Sequence, residues 1–126
     1  MSLPQVLIVD DDRLLRMIVR DALDGVDCTI RETDSGEAAL AIIKENATAV
    51  VLLDLIMPGK SGLQILKELK DIPLRTRIIV LSGLDSEALV RQAMDDGAHG
   101  FLNKPIHPLD VRNVVVGALE VYGSQG

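Results

Sequence analysis

Short apolar segments recur along the chain, each bounded by polar or turn-forming residues. Several are continuous rather than alternating, which is typical of strands in a parallel sheet covered on both faces. The pattern predicts five strands: QVLIV at 5–9, CTIRET at 28–33, AVVLLD at 49–54, RIIVLS at 77–82 and GFLN at 100–103.

The segments beside these strands place apolar residues at the spacing of helix faces. The first stripe contains Leu14, Leu15, Ile18, Val19 and Ala22, and the last contains Val111, Val114, Val115, Ala118, Leu119 and Tyr122. Three further helices are predicted over 36–45, 61–70 and 86–96. Strand and helix therefore alternate along the chain, which predicts a doubly wound α/β domain with right-handed crossovers.

Capping residues support these helix boundaries. Ser61 and Ser86 are predicted N-caps, because a hydroxyl there accepts a hydrogen bond from the first turn. Gly97 is predicted to end the fourth helix, since glycine readily adopts the left-handed conformation that closes one. No linker, repeat or low-complexity segment interrupts the pattern. We therefore expect residues 1–126 to form a single domain, either alone or cut from a longer protein.

Composition narrows the function classes. Hydrophobic residues make up 48% of the 126 residues but aromatic residues only 2%, so the core must be aliphatic. The net charge of −6 argues against direct binding to nucleic acid or to an anionic membrane. The single cysteine, Cys28, excludes an internal disulfide and is expected to pack in a strand. Without a signal peptide or a membrane-spanning apolar segment, the expected location is cytoplasmic.

Reactive side chains follow the predicted strands at the ends where ligands bind in doubly wound sheets. The first strand leads into Asp10, Asp11 and Asp12, the third ends in Asp54, and the fourth and fifth lead to Ser82 and Lys104. Three adjacent aspartates repel one another unless a cation lies beside them. Carboxylates without nearby histidine or cysteine form an all-oxygen site, which suits Mg²⁺.

Each of these residues also has a simpler interpretation when it is considered alone. Asp12 is expected to cap the first helix, Ser82 could be a turn hydroxyl, and a single lysine such as Lys104 is usually solvated. Their joint position at one sheet edge favours a site instead. A carboxylate beside Mg²⁺ can accept a phosphoryl group, while a lysine and a hydroxyl neutralise the charge of that group.

Four segments, VLIVDDD, VVLLDLIMPGKSG, VLSG and GFLNKPI, occur in an order and at separations that resemble a known family. That family is the receiver domain of bacterial two-component response regulators, in the size class of the single-domain chemotaxis members. The resemblance spans essentially the whole chain. It implies a flavodoxin-like fold, with five parallel strands in the order 2-1-3-4-5 and five helices on both faces.

The resemblance also implies a role for each matching residue. Asp54 would be the phosphoacceptor. Asp11 would bind Mg²⁺ directly and Asp10 mainly through water, with Asp54 and the backbone carbonyl of Ile56 as the remaining protein ligands. Lys104, before a cis bond to Pro105, would pair with a phosphoryl oxygen.

The same resemblance implies a switch. Ser82 would move its hydroxyl onto the phosphoryl group, and Phe101 stands at the position of the switch aromatic, although it could also be a plain core residue. The output face would then be residues 84–122. Two apolar residues, Ile56 and Leu84, stand where the family controls the lifetime of the phosphoryl group, and they predict slow self-dephosphorylation.

The partners implied are a sensor histidine kinase or a histidine phosphotransfer protein, and a downstream effector protein or an output domain. Val116 adds an apolar residue beside the main stripe of the last helix, which favours a homodimer through residues 84–122. The activity expected is self-catalysed phosphorylation and dephosphorylation of a signalling protein rather than enzymatic turnover.

Two other functions compete with this one. Asp10 and Asp12 fit the nucleophile and the general acid of haloacid-dehalogenase-like phosphatases, with Ser82 and Lys104 contacting phosphate. A receiver that binds partners without phosphorylation is the third alternative. The Gly59-Lys60-Ser61 tripeptide lacks the leading glycine of a phosphate-binding loop. Lys60 is therefore expected to be solvated, and Gly59 and Gly62 to let the chain turn after Pro58. Surface positions are expected for the isolated His99 and His107.

Overall fold

A computed structural model describes residues 2–83 and 86–125. Its centre is one five-stranded parallel sheet in the order β2-β1-β3-β4-β5, as predicted. The strands are β1 (Gln5–Val9), β2 (Thr29–Thr33), β3 (Thr48–Asp54), β4 (Arg77–Ser82) and β5 (Gly100–Asn103). The helices are α1 (Arg13–Ala22), α2 (Gly36–Lys44), α3 (Gly62–Leu69), α4 (Glu87–Asp95) and α5 (Pro108–Ser124).

The helices cover the sheet on both faces, which confirms the doubly wound architecture. Successive residues of a strand point to opposite faces. On β1, Leu7 and Val9 pack with α2, α3 and α4, whereas Val6 and Ile8 pack with α1 and α5. All of β3 is buried, because this central strand is covered on both sides. The continuous apolar segments of the sequence follow from this double burial.

Helix ends show where local chemistry was predicted correctly and where it was not. Ser61 caps α3 in a capping box with Gln64, and Gly97 follows α4 with a φ of +106°, both as predicted. Ser86 precedes α4, but its hydroxyl donates to the carbonyl of Gly83 (2.6 Å) and makes no capping bond. The structure thus confirms the position of Ser86 as the N-cap residue, but the predicted hydrogen bond from the first turn to its hydroxyl is wrong.

Small differences elsewhere have equally local causes. Cys28 lies one residue before β2, half-buried against the α1 and α5 layer, and burial beside Asp27 raises the pKa of its thiol. Lys60 forms an ion pair with Glu68 of α3 rather than standing free in solvent. His99 is exposed, as predicted, and its Nδ1 also accepts from the amide of Ile78 (3.0 Å), so this residue supports the start of β5. Within the described ranges, no helix has the length and apolarity needed to cross a membrane.

Candidate functional site

The predicted site residues meet at the carboxyl end of the sheet because neighbouring parallel strands end there. Asp54 is the last residue of β3 and Ser82 the last of β4, while Asp10 directly follows β1. The strand ladder continues past β5, since the amide of Lys104 donates to the carbonyl of Ser82 (2.7 Å). Backbone pairing thus brings together at one edge of the sheet four residues that are far apart in sequence: Asp10, Asp54, Ser82 and Lys104.

The Lys104 side chain lies beside the two carboxylates of this edge, Asp10 and Asp54. Its Nζ lies 2.9 Å from Oδ2 of Asp10 and 3.2 Å from Oδ2 of Asp54. Asp10 is fully buried and Asp54 is 4% exposed, so this ammonium is the nearby charge that compensates both carboxylates. The Lys104–Pro105 peptide bond is cis, as the sequence resemblance implied.

Backbone amides fix the orientation of both buried carboxylates. Oδ1 of Asp10 accepts from the amide of Asp12 (2.9 Å), and Oδ1 of Asp54 accepts from the amide of Ile56 (3.1 Å). Each residue is thereby left with one oxygen, Oδ2, facing Lys104. Oδ2 of Asp10 accepts no well-directed hydrogen bond from any described residue, so its contact with Nζ is essentially an attraction between charges.

The protonation of the site follows from these contacts. Burial raises the pKa of Asp54, and the charge of Asp10 raises it further, against the opposing effects of the Ile56 amide and Lys104. Burial alone would lower the pKa of Lys104, but its two carboxylate partners outweigh burial and raise it. Lys104 therefore stays charged at neutral pH, while Asp54 is the carboxylate whose ionisation the site disfavours.

A divalent cation fits the remaining imbalance of charge. Asp10, Asp11 and Asp54 each offer a carboxylate oxygen, and these oxygens lie within 4.8 Å of one another. Asp11 is exposed, so the cluster is open to solvent on one side. Three acidic groups against a single ammonium leave an excess of negative charge. An all-oxygen donor set with an open side suits Mg²⁺, which retains several waters.

Asp12 has a different role from its two neighbours. Its Oδ1 accepts from the amides of Leu14 (2.9 Å) and Leu15 (3.3 Å), so it caps α1, as its simpler interpretation predicted. A carboxylate engaged in this way is poorly placed to act as a general acid. The geometry thus gives no support to the alternative in which Asp10 and Asp12 form a phosphatase pair.

The comparison with known families decides between these alternatives. Residues 6–116 match the family model described as the response regulator receiver domain. The chain belongs to this family. Membership excludes a haloacid-dehalogenase-like phosphatase, and it agrees with the acidic cluster and the sheet order.

Individual relatives of this receiver domain differ in length. The chemotaxis protein CheY of Bacillus subtilis is 35% identical over 103 residues, which cover 80% of this chain and 85% of that protein. The probable transcriptional regulatory protein NarL of Mycobacterium tuberculosis is 40% identical over 111 residues, covering 82% of this chain but only 51% of the relative. The solved signal receiver domain of that organism's putative response regulator NarL superposes with a TM-score of 0.84 at 34% identity and covers 95% of this chain and 98% of that structure. The chain thus spans most of one kind of relative and about half of the other.

The expected switch residues of the receiver, Ser82 and Phe101, lie on the neighbouring strands β4 and β5. Ser82 is buried, and its hydroxyl donates to Oδ1 of Asn103 (3.3 Å), its partner in the register of β4 and β5. Phe101 is 48% exposed and lines a cavity of about 600 Å³ together with Val90 and Met94 of α4. Leu84 falls outside the described residues. Asn103 was not predicted, because its contact with the Ser82 hydroxyl depends on the register of β4 and β5.

Gly62 is a second residue whose role was not predicted correctly. It was expected to let the chain turn after Pro58, but a Cβ at this position would lie 2.2 Å from the carbonyl oxygen of Asp54. Gly62 is therefore required for close packing of α3 against the end of β3. The turn itself uses Gly59, which has a φ of +76°.

Proposed function

We propose that this receiver domain accepts a phosphoryl group on Asp54 and changes its α4–β5–α5 surface in response. The observation that carries the proposal is the position of Lys104, whose ammonium lies within 3.2 Å of Oδ2 of Asp54 and within 2.9 Å of Oδ2 of Asp10. A cation held beside a buried carboxylate is the arrangement that phosphoryl transfer to this carboxylate needs.

The donor chemistry follows from the nucleophile. A carboxylate oxygen of Asp54 attacks the phosphorus of a phosphohistidine on a partner protein; a P–O bond forms, the P–N bond breaks, and the imidazole nitrogen becomes protonated. Asp54 must be ionised to attack, and Lys104 supports the charge that spreads over the transferring group. When bound by Asp10, Asp11, Asp54 and the carbonyl of Ile56, Mg²⁺ would supply further neutralisation of phosphoryl oxygens.

The response would begin with Ser82. Its hydroxyl now donates to Asn103, and a phosphoryl group on Asp54 would offer a stronger, charged acceptor at the same sheet edge. A shift of Ser82 toward that group would leave room behind it for Phe101 to turn inward from its exposed position. The signal would then be read on the face formed by α4, β5 and α5, within residues 84–122.

The partners belong to the same proposal. The donor would be a sensor histidine kinase or a histidine phosphotransfer protein, and the reader would be an effector protein or an output domain. Exposed apolar side chains on the reading face, Met94, Phe101 and Val121, are compatible with such a partner or with a second copy of the chain. A receiver that works without phosphorylation is less well supported, because every charged position of the site is filled.

Intact-mass spectrometry after incubation with acetyl phosphate and Mg²⁺ tests the proposal. We expect the wild type to gain one phosphoryl group, Asp54→Ala to gain none, and EDTA to suppress the reaction. Asp10→Ala is the matched control, since it removes the other buried carboxylate. It should slow labelling, while the phosphoryl group is still added to Asp54. Labelling of Asp54→Ala at the wild-type rate would refute the assignment, and an unlabelled wild type would favour the phosphorylation-independent receiver.

A further inference from the structure

The corner between β1 and α1 is held by an arginine that neither the sequence motifs nor the proposed reaction uses. Nη1 of Arg16 donates to the carbonyl oxygen of Asp10 at 2.6 Å. The same guanidinium also donates through Nε to Oε1 of Glu32 on β2, at 3.2 Å. The Arg16 side chain is only 15% exposed, so it lies between α1 and β2 rather than in solvent.

The carbonyl of Asp10 needs such a donor because the strand ladder ends there. The amide of Asp10 still pairs with the carbonyl of Thr33 on β2 (3.2 Å), but the chain then turns into α1. A buried carbonyl without a partner costs free energy comparable to a lost hydrogen bond. Arg16 supplies that partner from one turn inside α1, and Glu32 fixes the direction of its guanidinium.

This contact reaches the acidic cluster through a rigid unit. The carbonyl of Asp10 and the amide of Asp11 belong to one planar peptide, so fixing the carbonyl oxygen fixes the plane from which Asp11 starts. Asp10 and Asp11 supply two of the three carboxylates whose oxygens lie within 4.8 Å of one another. The Arg16 bond therefore restrains the peptide that links the backbones of these two residues.

We propose that Arg16 is a positioning residue for the acidic cluster, acting on the Asp10–Asp11 peptide and held in place by Glu32. This inference deepens the proposed function and rests on it for the identity of the bound cation. A positioning role and a simple charge effect predict opposite changes in Mg²⁺ affinity when Arg16 is replaced. Removing a cation near an acidic site would strengthen Mg²⁺ binding by Coulomb attraction alone, whereas loss of positioning weakens it.

Calorimetric titration with Mg²⁺ separates these two effects. We expect Arg16→Gln to raise the Mg²⁺ dissociation constant about tenfold, the size of effect seen when groups supporting metal ligands are lost. Arg16→Lys keeps the charge but cannot make both contacts, so an intermediate value is expected. Arg20→Gln is the matched control: Arg20 also pairs with Glu32 (2.7 Å), on the outside, and no contact with Asp10 is recorded for it in the part of the chain that the structure describes.

A second readout needs no metal. The amide of Asp12 donates to Oδ1 of Asp10, so its hydrogen exchange reports on the order of the corner. Exchange at Asp12 should accelerate in Arg16→Gln and stay unchanged in Arg20→Gln, with melting temperatures confirming that both variants are folded. The positioning role would be overturned if Arg16→Gln bound Mg²⁺ as tightly as the wild type or more tightly. Unchanged hydrogen exchange at the Asp12 amide of this variant would overturn it as well. A wild type that binds no Mg²⁺ would refute the metal part of the proposed function instead, and the exchange measurement would still decide the role of Arg16.

Discussion

At the scale of single residues, two buried carboxylates repel each other and share one ammonium as their compensating charge. Asp10 and Asp54 both face Lys104, and burial together with the charge of Asp10 raises the pKa of Asp54. A raised folded-state pKa means that the folded protein holds this proton more tightly than the unfolded chain does. Ionised Asp54 therefore destabilises the fold, fully so above its folded-state pKa and less as the pH falls through it.

Asp54→Asn should consequently stabilise the protein when no metal is present. We expect the free energy of unfolding in EDTA at pH 7 to rise by on the order of 1 kcal/mol, a usual size for a single substitution. The gain should shrink as the pH falls toward 3.8, the ordinary pKa of aspartate. Urea unfolding across this pH range measures the effect, with Asp71→Asn, an exposed site, as control. A destabilised Asp54→Asn, or a gain that does not change with pH, would contradict this account.

Ile56 provides the second prediction at this scale. Its amide orients Asp54, the proposed acceptor, while its side chain is 64% exposed and has no group that could hold a water molecule. Ile56→Asn should therefore accelerate loss of the phosphoryl group severalfold, because an amide side chain can orient an attacking water. Timed intact-mass spectra after removal of the donor measure the rate. Leu3→Asn, also at an exposed apolar position, should leave the rate unchanged. A wild-type rate in Ile56→Asn would argue against control of the phosphoryl lifetime by the side chain at position 56.

At the scale of elements, the position of the proposed acceptor, Asp54, depends on how α3 begins. Ser61 caps this helix, and the next residue, Gly62, packs directly against the carbonyl of Asp54. Any side chain at Gly62 must push α3 away from β3 or rotate the end of β3. The connection from β3 to α3 is thus part of the site, although it contributes no reactive group.

Gly62→Ala should lower the free energy of unfolding by about 1–3 kcal/mol, the usual cost of overpacking, and slow labelling by acetyl phosphate. Gly117→Ala is the matched control, since a Cβ at this α5 position would meet no described atom within 4 Å. Because alanine favours a helix over glycine by about 1 kcal/mol, Gly117→Ala should stabilise the fold. Comparing thermal unfolding and labelling rates tests the difference; a Gly62→Ala protein that behaves like Gly117→Ala would disprove the steric argument.

The elements also show how far sequence reasoning extends. Continuous apolar segments predicted β1, β3 and β4, because double burial leaves a local signature. The edge strands β2 and β5 are largely exposed, and they were predicted from short segments bounded by turn-forming residues. The residues ending the strands identified Asp10, Asp54 and Lys104 as neighbours. Arg16 and Asn103 were not predicted. Their partners, the Asp10 carbonyl and the Ser82 hydroxyl, are chosen by strand register and by the turn into α1, which no local pattern records.

At the scale of the whole molecule, β4 and β5 connect the charged edge to the reading face. Ser82 pairs with Asn103 in the register of these strands, and Phe101, two residues earlier on β5, is exposed beside the cavity against α4. A change at Ser82 therefore acts on the strand that carries Phe101. The rest of the sheet lies between two layers of helices and has little freedom to move.

The proposed rotation of Phe101 can be followed directly because it is the single phenylalanine of the chain. Incorporation of 4-fluorophenylalanine should give one fluorine resonance, which we expect to shift and lose solvent sensitivity when beryllium fluoride and Mg²⁺ mimic the phosphoryl group. Ser82→Ala lacks the hydroxyl that we propose starts the change, and it should show a much smaller shift. An unchanged wild-type resonance, with mimic binding confirmed independently, would exclude Phe101 as the switch.

The most direct test of the central claim is to locate the phosphoryl group in the chain. Borohydride reduces an aspartyl phosphate to homoserine, which tandem mass spectrometry can assign to one position after treatment with acetyl phosphate and Mg²⁺. The account predicts homoserine at position 54 alone, and none after omission of the phosphoryl donor. Homoserine at position 10 or 11 instead would show that another carboxylate of the cluster is the acceptor and would contradict the account.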